Sequence, residues 1–119
     1  MSSTTTYKRG SVVVVEVRFS DLSSAKKRPG LIVSMEAVHR KLPDVIVCPI
    51  SSRPRYYERP GPGDEPLRNW KSAGLRYPST VRASKVIAVD KGIIGRTVGR
   101  ISVDDLRRVD DALRKVLGL

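Results

Sequence analysis

The chain is short of nearly every residue type that performs covalent or metal chemistry. Its 119 residues include one cysteine, one histidine, one tryptophan and one phenylalanine. A single cysteine, Cys48, excludes an internal disulfide and suits a reducing compartment. With one histidine and one cysteine the zinc-site spacings are absent. The acids near the end come as adjacent pairs on a helical stretch, where neighbours point about 100° apart, so no metal site is expected. A Ser–His–Asp triad would have to use His39, which sits in a polar connection and reads as an ordinary surface residue. Cys48, inside the apolar run VIVCPI, reads as a small buried hydrophobe rather than a nucleophile. No run approaches the roughly 18 apolar residues of a membrane span. The N-terminus MSSTTTYKRG lacks the apolar centre of a signal peptide, so a cytoplasmic protein is expected. Glycines are scattered and form no phosphate-cradling loop.

Acids are scarce as well. Lys plus Arg number 23 against 12 Asp plus Glu, a net charge of +11. Residues 103–117 hold four of each sign, so the whole excess lies in the first 102 residues, where 19 bases face 8 acids. A field so concentrated attracts polyanions, nucleic acid first, with anionic membrane surfaces and acidic proteins as alternatives.

One domain is expected over 1–119, because compact domains mostly run about 100–150 residues. A hydrophobic fraction of 39% suffices for one modest core. Residues 1–7 are polar and read as a flexible tail. GSVVVVEVRF alternates Val13, Val15, Val17 and Phe19 with Val12, Val14, Glu16 and Arg18, which predicts a strand. Its four consecutive valines require cover on part of the second face too. SDLSSAKKRP reads as a polar loop carrying Lys26, Lys27 and Arg28 to the mouth of a second strand, GLIVS. MEAVHRKLPD fits one helical turn or an irregular connection, and VIVCPI fits a central strand. From Ser51 to Pro78 the pattern collapses into a long loop region with five of the eight prolines, too many for a buried helix or a central strand. Two short strands are expected around Ala83–Ser84, and a turn and last strand in KGIIGRTVGR.

A helix over 103–117 ends the chain. Ser102 and Asp105 are spaced as a capping box. Val103, Leu106, Val109, Leu113 and Val116 make an apolar stripe. Asp104–Arg108, Arg107–Asp111, Asp110–Arg114 and Asp111–Lys115 are spaced to pair at i,i+4, so the charges read as a solvated face. Gly118 is a natural stop. Five or six short strands followed by one helix predict a small, strongly curled antiparallel sheet or barrel.

RNA cleavage remains open to a chain so poor in reactive groups, because RNA carries its own nucleophile in the 2′-hydroxyl. The protein need only hold a phosphate in line and stabilise the charge that grows on it. An arginine fork and serine hydroxyls suit that task. Arg28 at one strand mouth and Ser51–Ser52 at the exit of the third strand could supply both, if those strands are neighbours. A loop cation and a strand-ending turn remain the plainer alternatives for the same residues.

Four stretches, in order, resemble the MazF/PemK family of toxin endoribonucleases from type II toxin–antitoxin systems: YKRGSVVVVEVRFSD, KKRPGLIVS, VIVCPISS and YPSTVRASKVIAVDKGIIGRTVGRIS. The resemblance implies a small SH3-like barrel with a C-terminal helix, acting as a homodimer. It implies metal-independent, sequence-specific cleavage of single-stranded messenger RNA to a 2′,3′-cyclic phosphate and a 5′-hydroxyl, and a cognate antitoxin. Arg28 then matches the catalytic arginine, Ser51 the hydroxyl residue of the third strand, and Arg82 a further catalytic arginine. Where some members place an aspartate two residues after that arginine, this chain has Ser84. The loop with Ser23 and Ser24 lacks the glutamate of others, so the general base is unassigned. Lys26, Lys27, Ser52, Arg53, Arg55, Tyr56 and Ser84 complete the expected RNA-binding set, with Arg59 following the backbone and Tyr57 or Trp70 as alternative stacking residues. Two other classes stay open: a gyrase-targeting toxin resembling CcdB, with its function on the helix end, and a non-catalytic RNA-binding module.

Overall fold

The computed structural model describes residues 7–18 and 25–119. The expected N-terminal tail, apart from Tyr7, and the loop with Ser23 and Ser24 lie outside the described residues.

β1 (Ser11–Arg18) pairs antiparallel with β2 (Ala25–Ile32), and β2 with β3 (Asp44–Ser51). Because alternate side chains leave a strand on opposite faces, the valines of β1 divide between two cores. Val12 joins Leu31, Cys48, Ile50, Val81 and Val109 in one cluster, while Val13 and Val15 join Ile32, Val45 and Val47 in another. The need for cover on both faces is met. Burial pushes the Cys48 thiol up to about 12, against the pull of Arg9, so it stays protonated and inert.

The remaining strands are β4 (Asp64–Pro66), β5 (Thr80–Arg82), β6 (Ile87–Asp90) and β7 (Ile94–Arg100). The order is β4-β5-β3-β2-β1-β7, with β6 also pairing β3. The expected mainly-β fold, an antiparallel sheet followed by a C-terminal helix, is found, although among the described residues no pairing joins β4 to β7 to close the barrel. Irregularities in the β1–β7 register at Val12–Val15 bend the sheet.

Three segments differ from their sequence-based expectation. The segment Ala25–Pro29 is strand rather than loop, because β1 supplies partners as far as Ala25 and a proline is tolerated where one side of a strand is unpaired. MEAVHRKLPD forms α1 (Glu36–Lys41), and His39 is 5% exposed rather than superficial. Its Nδ1–H donates to the Tyr7 carbonyl at 2.9 Å, its Nε2 is bonded to the Ser34 hydroxyl, and Ser34 accepts the Ile46 amide at 2.9 Å. Both ring nitrogens have partners there, so the buried ring leaves no polar atom unsatisfied. The proline-rich region is also structured: α2 (Pro54–Glu58) opens on a proline, where a missing N–H costs nothing, and β4 follows. Leu67 and Ala73 anchor it with no exposed surface.

The helix at 103–117 is α3 (Val103–Leu117), which stops at Gly118 in the left-handed conformation, φ 71°. Ser102 accepts the Asp105 amide at 3.1 Å, one half of the capping box. The other half is diverted: Asp105 accepts the Arg68 and Asn69 amides at 3.1 and 2.9 Å, and pairs with Arg108. Burial opposes ionisation of Asp105, yet these bonds outweigh it and hold its carboxyl below the usual range. Asp110 pairs with Arg9. The acids of α3 are therefore partly anchors rather than a solvated face, and its internal pairs form at i,i+3 instead of i,i+4. Val109 is buried and Leu106 and Leu113 pack beside it, but Val103 is 73% exposed and leaves the stripe.

Candidate active site

The site begins where the sheet splits. β2 and β3 pair at Ile32↔Val47, Leu31↔Cys48 and Gly30↔Pro49, and there the ladder stops. The carbonyl of Ile32 accepts from Gly10 on the β1 side, and the Val33 amide donates to Ile46 on the β3 side. By strand alternation the next bond toward β3 would come from position 29, to Ile50. That residue is Pro29, which has no N–H to give. Continued one step further, the same register would set Arg28 opposite Ser51. Beyond the fork β3 continues with β5, through Ile50↔Val81 and Ser51↔Thr80, and this pairing brings Arg82 alongside.

A pocket of about 410 Å³ fills the fork. Arg28, Ser51 and Arg82 all line it, together with Ser52, Arg53, Tyr56 and Lys85. Ser51 Oγ accepts the Arg53 amide at 3.2 Å, which leaves its own proton to donate. Arg82 donates from Nε to Asp64 Oδ1 at 2.9 Å, and its guanidinium carbon lies 3.8 Å from the Tyr56 ring centroid. The hydrogen bond to Asp64 raises the Arg82 pKa above its ordinary value, so this group remains a cation.

A family model of PemK-like, MazF-like toxins of type II toxin–antitoxin systems matches residues 8–117. The chain belongs to this family. The toxin fold is shared with solved structures. A MazE–MazF complex from Deinococcus radiodurans has a TM-score of 0.80 at 19% identity, covering 98% of this chain and 99% of that one. An endoribonuclease in complex with its cognate antitoxin from a mycobacterial species gives 0.78 at 23% identity, covering 95% and 96%. The Mycobacterium tuberculosis toxin MazF-mt6 gives 0.74 at 23% identity, covering 92% and 97%. No curated protein matches this chain by sequence.

Other expected site residues of the toxin fall elsewhere. Lys27 lines an adjoining groove; Lys26, Arg55 and Ser84 line neither. Ser84 packs against Gly63, where an added Cβ would come within 2.8 Å of its amide nitrogen. Tyr57 donates its hydroxyl to the Leu67 carbonyl at 3.0 Å, and Trp70 packs on the core, so Tyr56 is the one of the three aromatics at the pocket.

Two site residues escaped sequence reasoning. Lys85 follows Ser84 directly, but only the short 3₁₀ turn Ala83–Lys85 aims it at the fork. Asp64 is held by its own turn, accepting the Gly61 amide at 3.0 Å, and its side chain is 3% exposed. The acid after the glycines of GPGDEP was the available signal. No three His, Cys, Asp or Glu side chains gather into a metal-ligating group among the described residues, and no described helix is long and apolar enough to cross a membrane.

Proposed function

We propose that this toxin is a metal-independent endoribonuclease that cleaves single-stranded RNA, messenger RNA above all, at short sequences. The 2′-oxygen attacks the adjacent phosphorus, the P–O5′ bond breaks, and a 2′,3′-cyclic phosphate and a 5′-hydroxyl result. The observation that carries this reading is that Arg28, from within β2, and Ser51, at the end of β3, line one cationic pocket. Arg28 is the principal stabiliser of the phosphorane charge, where one well-aimed donor contributes about 2.7–4 kcal/mol. Ser51 donates to a non-bridging oxygen. Arg82, clamped by Asp64 and Tyr56, supplies a second fixed positive charge. A guanidinium holds its proton too tightly for proton transfer near neutral pH, so neither arginine is given that role. No carboxylate or imidazole lines the pocket among the described residues; in this reading solvent takes up the 2′-proton and delivers one to the departing O5′. A cognate antitoxin covering the cationic surface, action as a homodimer and a cytoplasmic location belong to the same proposal; the +11 charge supports an acidic partner.

The test is to incubate purified protein with single-stranded RNA in EDTA and map the ends. Fragments with cyclic-phosphate termini are expected, and they should vanish in Arg28→Ala. Intact RNA retained in a salt-sensitive complex would identify a binding module instead. Intact RNA together with gyrase inhibition would identify a gyrase poison, and either outcome would sink the proposal.

A further inference from the structure

A second groove, of about 580 Å³, opens from the pocket and shares Arg28, Pro29 and Ser52 with it. Its floor is apolar: Val14, Leu75 and Val98. Its walls carry Lys27, Arg76, Arg96 and Tyr77, and among the described residues no acidic side chain lines it. The contrast with α3 is informative. There Arg107, Arg108 and Arg114 each face an aspartate. Lys27, Arg28, Arg76 and Arg96 form no ion pair among the described residues, although they come from three separate segments.

The wall is built rather than incidental. Gly74 adopts φ +88°, and a Cβ on it would lie 2.4 Å from the Val98 carbonyl oxygen; one on Gly99 would lie 2.1 Å from that of Ala73. Two glycines thus let the 73–74 backbone lie directly on β7. Beyond that contact, Arg76 and Tyr77 line the same groove as Arg96 of β7. The Ser79 hydroxyl donates to the Tyr77 carbonyl at 2.7 Å and fixes the turn, leaving Tyr77 63% exposed.

We propose that this groove is the track of single-stranded RNA on one flank of the cleaved bond. Lys27, Arg76 and Arg96 hold backbone phosphates, and Tyr77 stacks an unpaired base. The inference rests on the ribonuclease reading and extends it to residues outside the pocket. Cations without carboxylate partners suit phosphates, an apolar floor and an exposed ring suit bases, and their combination is that of a single-strand channel.

The experiment takes an RNA cut by the wild-type protein and removes its reactive 2′-hydroxyl, giving a non-cleavable probe. Binding is measured across a salt series for the wild type, Arg76→Gln/Arg96→Gln and Tyr77→Ala. Arg40→Gln/Lys41→Gln on α1 serves as a matched charge loss. The groove double variant should bind about 10–100-fold more weakly, and its log affinity against log salt should flatten by about 1.4, two phosphates at roughly 0.7 each. Tyr77→Ala should bind about tenfold more weakly with the salt slope unchanged. On an RNA trimmed of one flank, the groove variants and the wild type should turn over alike. Unchanged binding, an equal loss in the α1 control, or a groove variant that alters the oligomeric state in sedimentation overturns the inference while wild-type cleavage persists. A wild-type protein that leaves RNA intact overturns the ribonuclease reading itself, and this inference with it.

Discussion

Two carboxylates with buried side chains, Asp105 on α3 and Asp64 on β4, use the same chemistry for different ends. Asp105 is saturated: two backbone amides and Arg108 fasten the 67–69 segment to α3. Asp64 accepts one amide and the Nε of Arg82, whose guanidinium still reaches the pocket. The first pair closes the fold. The second aims a charge at an opening and leaves it available. A buried ion pair is by itself weak grounds for stability or function, and what its cation faces decides between them.

Four measurements would break or sharpen that contrast. Asp105→Ala should lower the unfolding free energy by about 3–5 kcal/mol in urea titration, since it orphans two amides and a cation. The folded fraction should keep its turnover; lost activity per folded molecule would erase the distinction. Ser51→Ala, at the strand end, should cut turnover about 10²-fold with the urea midpoint nearly unchanged. A large fall in midpoint would place Ser51 on the structural side. Asp64→Asn should slow turnover about tenfold through a loosened Arg82, with little change in KM. An equal loss after Arg82→Ala/Asp64→Asn as after Arg82→Ala alone would show that Asp64 acts only through the arginine.

The smallest effect concerns acid. Asp105 is held ionised below its ordinary range near about 3.9, so its tie contributes stability above that pH and loses it as pH falls through the lowered folded value. Wild-type protein should weaken there more steeply than Asp105→Asn. Parallel curves would remove Asp105 from the account.

Much of the fold was legible because its signals are local. Valine alternation, the Ser102 cap and the α3 period each need only neighbours along the chain. The meeting of Arg28 and Ser51 was legible as soon as consecutive strands were taken to pair. What stayed hidden depended on contacts distant in the chain. Nothing near His39 announces that Ser34 and the Tyr7 carbonyl will enclose it. Proline count argued against structure after Ser51, but Pro54 begins a helix and Pro66 ends an edge strand, two positions where a proline costs little. The partners of Asp105 are amides some 36 residues away, and side-chain spacing along α3 could not reveal them.

Pro29 has a last consequence. A hairpin with a donor at that position could zip one pair further and draw the Arg28 and Ser51 backbones together. The imino ring denies it that step, so the width of the mouth is written into the covalent chain rather than won from whatever enters. Such a jaw stands ready from the moment of folding.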